Sequence, residues 1–204
     1  MSDVLLCLQK SATKALMIEV QLAPKPGLVD RLDNGAHKDM NIFTFMESIF
    51  ALQPYFYQYA YAGYYHQGSP RELFDKIRHI GQEAEKSMLD ATNGINTHKG
   101  ANFSFAIILS AIGNYLQKTK FSLKKIDKRR IRLYIQEMTH HLIEEDLKES
   151  KNNTSLSNGE KLFLKYGITG IRGQAAMGYP DLFDYLLPYF YTHLPIKKRK
   201  PAMR

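Results

Sequence analysis

Apolar residues recur every three or four positions along most of this chain, the spacing that gathers them on one face of a helix. Leu5, Leu8, Ala12, Ala15 and Leu16 predict a first helix over residues 2–22. Carrying that stripe on by three lands on Glu19, so the pattern sets a carboxylate at the inward edge near the helix end. A buried acid needs a cation or a metal beside it; the alternative is a Glu just past the buried strip. Ile42, Phe43, Phe45, Met46, Ile49 and Phe50 predict a helix over 41–52, and Pro54 reads as the start of a new, tyrosine-rich element holding Tyr55, Tyr57, Tyr59, Tyr61, Tyr64 and Tyr65. Those tyrosines read as core or rim, with stacking on a base as the other use. Ser69-Pro70-Arg71-Glu72 is a helix start with a serine cap, a first-turn proline and a glutamate three after the cap. Leu73, Ile77, Ile80, Ala84, Met88 and Ala91 carry that helix to Thr92, with Glu83 and Glu85 flanking it.

Phe103, Phe105, Ala106, Ile107, Ile108, Leu109, Ala111 and Ile112 are apolar on all sides, and the length to Leu116 fits a helix in the middle of a bundle. Ile131, Ile135, Met138 and Leu142 predict a helix over 127–148 with His140 and His141 beside the stripe, a short helix follows over 158–167, and a last amphipathic stretch covers 181–194. No alternating run competes. The reading is an all-α, single-domain multi-helix bundle over 1–194 with a central buried helix at about 101–116, glycine-rich loops forming the site, and a basic tail at 195–204.

The charge is uneven. With 28 Lys and Arg against 20 Asp and Glu the chain carries a formal +8. Lys124, Lys125, Lys128, Arg129, Arg130 and Arg132 form one basic run and the last eight residues another. Such runs suit an anionic partner or are solvated faces. The single Cys7 leaves no internal disulfide and no cysteine metal site, which points to a reducing compartment. No leader pattern and no run of about 18 apolar residues is present, so the expectation is a cytoplasmic chain that neither enters nor crosses a membrane.

Chemistry collects in the connections. Residues 92–101 place Asn96, Thr97, His98, Lys99 and Gly100 at the start of the buried helix. The first amides of a helix lack intrahelical partners and carry partial positive charge, so this is an anion site or a glycine-containing link with a solvated lysine. Lys99 argues for an anion, since a cation there is otherwise mildly unfavourable. Lys25 is framed by Pro24 and Pro26. Asp30, Asp33, His37 and Asp39 fall within ten residues of irregular chain, a donor set that suits Mg²⁺ or Mn²⁺; alternatively Asp33-Asn34-Gly35 is a turn and Asp39 or Asn41 a helix cap. Gly170, Gly173 and Gly178 surround Arg172, so backbone can approach something closely beside a planar cation. Phosphate-loop, dinucleotide and kinase motifs are all missing, and no serine sits in a nucleophile elbow. The pieces amount to a metal and polyphosphate site without a phosphoryl-transfer signature.

Four segments carry a family resemblance: Pro24-Lys25-Pro26-Gly27-Leu28-Val29-Asp30, Asn34-Gly35-Ala36-His37-Lys38-Asp39-Met40, residues 91–101, and Gly170-Ile171-Arg172-Gly173. In this order they resemble the motifs of triphosphoribosyl-dephospho-CoA synthases. The resemblance implies an all-α fold and the reaction ATP + 3′-dephospho-CoA → 2′-(5″-triphosphoribosyl)-3′-dephospho-CoA + adenine. The product would pass to a holo-acyl-carrier-protein synthase serving citrate lyase or malonate decarboxylase. No nucleic-acid partner is implied. Because the phosphates stay whole, no kinase apparatus is needed. Attack at the ribose anomeric carbon passes through an oxocarbenium-like state that carboxylates stabilise.

On that basis Asp30, Asp33, His37 and Asp39 are expected to hold Mg²⁺ or Mn²⁺ on the triphosphate. Lys25, Asn96, Thr97, Lys99, Gly100, Arg172 and Gly173 are expected to bind substrate. Glu19 or Glu83 would serve as base and His98 as the acid for departing adenine. Gln174 stands where the family carries Glu, and members continue well past the counterpart of Gly178-Tyr179-Pro180. A missing helical layer would expose apolar surface and invite a homodimer. The competing readings are an all-α metal-dependent phosphohydrolase and a shortened nucleotide- or RNA-binding relative.

Overall fold

The computed structural model describes residues 2–120, 126–147 and 158–193. Lys124, Lys125, the polar stretch 149–157 and the basic tail lie outside them. The described residues contain helices and no strand, as the periodicity requires. The chain divides into two compact units, residues 1–138 and 139–204.

In the first unit α1 (Ser2–Gln21), α2 (Ile42–Tyr64), α3 (Pro70–Ala91) and α4 (Lys99–Lys118) form the core. α2 packs on each of the other three, and α4 packs on α2, α3 and α1. Leu5, Ile49, Leu52, Phe56, Leu73, Ile77, Met88, Ile107 and Leu116 are buried between them. α3 opens with the expected capping box, Ser69 accepting from the Glu72 amide and Glu72 from the Ser69 amide. α4 is the central helix the sequence predicts, and it is not wholly apolar inside: Asn102, Ser110 and Asn114 are buried on it. Asn102 joins three helices, accepting from the Tyr59 hydroxyl (2.8 Å) and donating to the Gly81 carbonyl (3.2 Å).

Two sequence expectations change here. Pro54 does not begin a new element but lies inside α2. It occupies an exposed position, and the buried row Ile49, Leu52, Phe56, Tyr59 and Ala60 runs straight past it. Burial on three neighbours offsets the one hydrogen bond a proline removes. On α1 the inward row is Leu5, Ala12, Leu16 and Val20, while Ala15 and Glu19 face out. A step of four from Leu16, rather than three, reaches Val20.

α2 and α4 touch backbone to backbone. A Cβ on Gly63 would collide with the Ser110 carbonyl, and one on Gly113 with that of Ala60. Larger residues separate the helices nearer their N-termini, where Phe56 meets Phe105 with ring centroids 5.0 Å apart. α5 (Lys128–Thr139) follows; the Asp127 amide donates to the Tyr115 hydroxyl and Lys118 sits 5.0 Å over the Tyr134 ring.

The helix predicted over 127–148 stops at Thr139, and a π-helical turn covers Ile143–Leu147. The division between the units falls at this stop. In the second unit the buried Thr139 hydroxyl donates to the Ala175 carbonyl (2.7 Å). α6 (Asn158–Tyr166) and α7 (Gly170–Ala176) precede a π-helical turn (Asp181–Leu186) and α8 (Leu187–His193). The segment around Arg172, expected as a glycine loop, is the short helix α7. Neither the second π-helical turn nor α8 has a buried residue.

Candidate active site

The segment between α1 and α2 folds around one carboxylate. Asp30 is 4% exposed and accepts three backbone N–H groups, from Lys25 (2.8 Å), Leu32 (2.7 Å) and Asp33 (3.2 Å). The Leu32 amide, then that of Lys25, holds its pKa below the ordinary carboxylate range. Asp33 accepts from the Gly35 amide (2.6 Å), and Asn41 caps α2 through the Phe43 and Thr44 amides. These are the turn and cap uses of the acidic stretch. His37 and Asp39 approach each other at 3.8 Å. Among the described residues no three His, Cys, Asp or Glu side chains come together as a metal group, so Asp30, Asp33, His37 and Asp39 do not form the cluster expected of them. With Asp30 turned to the backbone and Asp33 to its own turn, the donors do not fit an ion held by this loop, and no step below runs through a metal.

What this segment delivers is Lys25. Its ammonium donates to the Glu19 carboxylate (2.7 Å) and to the Glu19 carbonyl (3.0 Å) at the end of α1, with the lysine side chain 15% exposed and the glutamate 50%. Glu19 thus faces out, paired with its own cation, and not inward as the stripe implied. Both charges act on His98, the residue that closes the loop before α4.

His98 is 5% exposed. Its Nδ1 lies 2.7 Å from the Ser48 hydroxyl of α2, and the Thr97 hydroxyl donates to Ser48 at 2.6 Å. Phe45 packs edge-on against the ring, centroids 4.9 Å apart. The backbone N–H of His98 donates to the Met88 thioether. Nε2 is buried and makes no hydrogen bond. Burial pushes the imidazole pKa down to about 4; Lys25 adds to the lowering and Glu19 opposes it.

The first turn of α4 is partly satisfied from within. The Asn96 side chain accepts from the Lys99 amide (3.2 Å). The next two amides, of Gly100 and Ala101, are first-turn groups with no intrahelical carbonyl to reach. A Cβ built on Gly100 meets nothing within 4 Å, so the space beside this residue is open. Lys99 does not turn to that space: it pairs with Glu85 of α3 at 2.5 Å. The anion inferred from Lys99 in the sequence is therefore met in this structure by a carboxylate of the chain itself. Glu83 lies on the exposed face of α3 and makes no ion pair among the described residues.

Sequence reasoning missed Ser48, Phe45 in its contact with His98, and Glu85. Ser48 had a readable signal, since it is a hydroxyl on the apolar row between Phe45 and Leu52.

In the second unit Arg172 and Gly173 lie within α7. A Cβ on Gly173 would collide with Thr169, so what approaches this glycine closely is a neighbouring side chain. Gln174 donates its amide to Asp181 (2.7 Å).

Comparison with known proteins adds the following. A family model described as ATP:dephospho-CoA triphosphoribosyl transferase matches residues 6–201. The chain is similar to a Streptococcus mutans protein named probable 2-(5″-triphosphoribosyl)-3′-dephosphocoenzyme-A synthase, 46% identical over 195 residues that cover 92% of this chain and 66% of that protein. A Streptococcus pyogenes protein of the same name is 46% identical over 194 residues with the same coverage. The chain thus spans 66% of the length of these curated relatives. No solved structure matches.

Proposed function

The chain belongs to the ATP:dephospho-CoA triphosphoribosyl transferase family, and we propose that it joins the 5-triphosphoribosyl group of ATP to the ribose 2′-hydroxyl of 3′-dephospho-CoA with release of adenine. The observation that carries this reading is His98 Nε2, a buried hydrogen-bonding atom without a partner, together with the open space beside Gly100 and the Lys25–Glu19 pair. This combination suits a ligand that is both anionic and rich in acceptor atoms.

The chemistry breaks the ribose C1′–N9 bond of ATP and forms C1′–O2′. The 2′-hydroxyl gives up a proton and adenine leaves with one, so the step is proton-neutral. In this reading Lys25 and the Gly100 and Ala101 amides hold the phosphate oxygens, which need only be held. Glu19, already charged opposite Lys25, takes the 2′-hydroxyl proton and faces the positive charge that develops at C1′. Glu83, exposed on α3, is not given this role. A ring kept neutral by burial does not carry the additional proton of a general acid near pH 7, so His98 serves by hydrogen bonding, and water supplies the proton that adenine leaves with while Glu19 returns its own to solvent. The reading places the reaction in the cytoplasm, where ATP is supplied, and the product is a precursor for the carrier subunit of citrate lyase or malonate decarboxylase.

Mass spectrometry of 3′-dephospho-CoA incubated with ATP and the chain tests this directly. A product heavier by one triphosphoribosyl group, with one adenine released per product, is expected. Release of inorganic phosphate from ATP without dephospho-CoA would replace the reading with phosphohydrolysis. Steeply salt-dependent RNA binding without turnover would replace it with a binding protein.

A further inference from the structure

Ser48 is fully buried, carries one hydroxyl, and meets two partners at short range: Thr97 Oγ1 at 2.6 Å and His98 Nδ1 at 2.7 Å. A hydroxyl has one proton to give. With the Thr97 hydroxyl as donor to Ser48, the Ser48 proton is left for Nδ1. A nitrogen that accepts cannot also hold a proton, and a neutral imidazole then carries its proton on Nε2. Nε2 is the buried atom that has no partner. Buried polar groups are nearly always hydrogen-bonded, and one that is not calls for a partner such as a ligand atom, a water or an ion.

We propose that Ser48 is a positioning residue: relayed from Thr97, it holds His98 as the Nε2–H tautomer and so presents a single buried N–H donor to an acceptor atom of the nucleotide substrate. This rests on the reading of the site given above. Phe45 packed edge-on against the ring and Ser48 at Nδ1 fix the ring's direction, so the hydroxyl relay has only the proton left to set. The relay joins two elements. Ser48 belongs to α2, whereas Thr97 and His98 belong to the entry of α4, and the tautomer depends on the two helices keeping their separation.

Two-bond ¹⁵N–¹H correlation spectra of the full chain, labelled at its seven histidines and assigned with His98→Gln, test the tautomer without turnover. The expected result is a pyridine-type Nδ1 and a pyrrole-type Nε2 at neutral pH. A pyridine-type Nε2 overturns the proposal whether or not the chain is an enzyme. Saturating ATP should shift the Nε2 proton downfield; an unmoved proton also overturns it. In Ser48→Ala, checked for intact helical circular dichroism, the two tautomers should mix and kcat should fall at least tenfold. Thr97→Val should do the same more weakly, and Ser48→Thr, which keeps the hydroxyl, should restore the wild-type spectrum. A Ser48→Ala rate loss with an unchanged tautomer would make Ser48 a packing residue and overturn the proposal. A correct tautomer that responds to ATP in a chain forming no triphosphoribosyl product would sustain the proposal and dismiss the activity.

Discussion

Residues 92–101 and 167–174 are both short runs of glycine and small polar residues around one cation, Lys99 in the first and Arg172 in the second. The first leads into a 20-residue helix whose inner face is buried, and it contains His98, enclosed and short of one hydrogen bond. The second leads into a seven-residue helix, too short to build much of a dipole, and its Gly173 is filled by Thr169. Gly94 and Gly100 of the first run face open space; in the second, Gly167 and Gly170 do so too, and only Gly173 relieves packing. Loop composition therefore does not separate the two runs. The length of the following helix, and a buried polar atom left unsatisfied, do.

The contrast extends to the units that hold these loops and can be broken by mutation. Phe56→Ala, in the fully buried row of α2, should cost about 4 kcal/mol, whereas Phe190→Ala on the exposed α8 should change stability by less than about 0.5 kcal/mol. Urea denaturation of the two variants measures both, and equal losses would erase the difference. Next in size is an effect of pH. The unfolded chain protonates His98 near pH 6.5, while the folded ring resists until about pH 4. Between those values the unfolded state binds more protons, so stability falls as pH is lowered through the window, by up to about 3 kcal/mol from this group, and is fully recovered above it. His98→Gln should flatten that part of a stability–pH curve.

The glycines give smaller effects of opposite sign. Gly173→Ala should destabilise by about 1–3 kcal/mol through the Thr169 clash. Gly100→Ala should stabilise by about 0.5 kcal/mol, because alanine favours the helix and nothing stands in its way. It should also weaken ATP binding in calorimetry, since the methyl enters the open space beside this residue. Smallest is Glu85→Gln, which frees Lys99 from an exposed pair and should cost less than about 0.5 kcal/mol in thermal unfolding.

Local chemistry made much of this legible. Ser69, Pro70 and Glu72 announce α3, the apolar run Phe105–Leu109 announces the buried α4, and Lys25, Asn96 and His98 stand out as polar groups in turns. Failures came where distance in sequence hid the partner. Lys99 reads as a cation awaiting an anion because Glu85 is fourteen residues away on another helix. Asp30 reads as a metal ligand because a carboxylate's three backbone donors are invisible until the loop closes. Pro54 reads as a break because burial on three sides is a tertiary effect. Ser48, legible only as a hydroxyl on an apolar row, was passed over because its partners lie across a helix interface.

The glycine contacts between α2 and α4 bear on that last residue from afar. Gly63 is fifteen residues, about 22 Å of helix, from Ser48, and it is there that the two backbones meet. The helices act as the arms of a pair of tongs, pinned at the Gly63 and Gly113 end and gripping His98 at the other. A methyl group at the pin would splay the jaws, and its effect would be read as a lost proton position at a site it never touches.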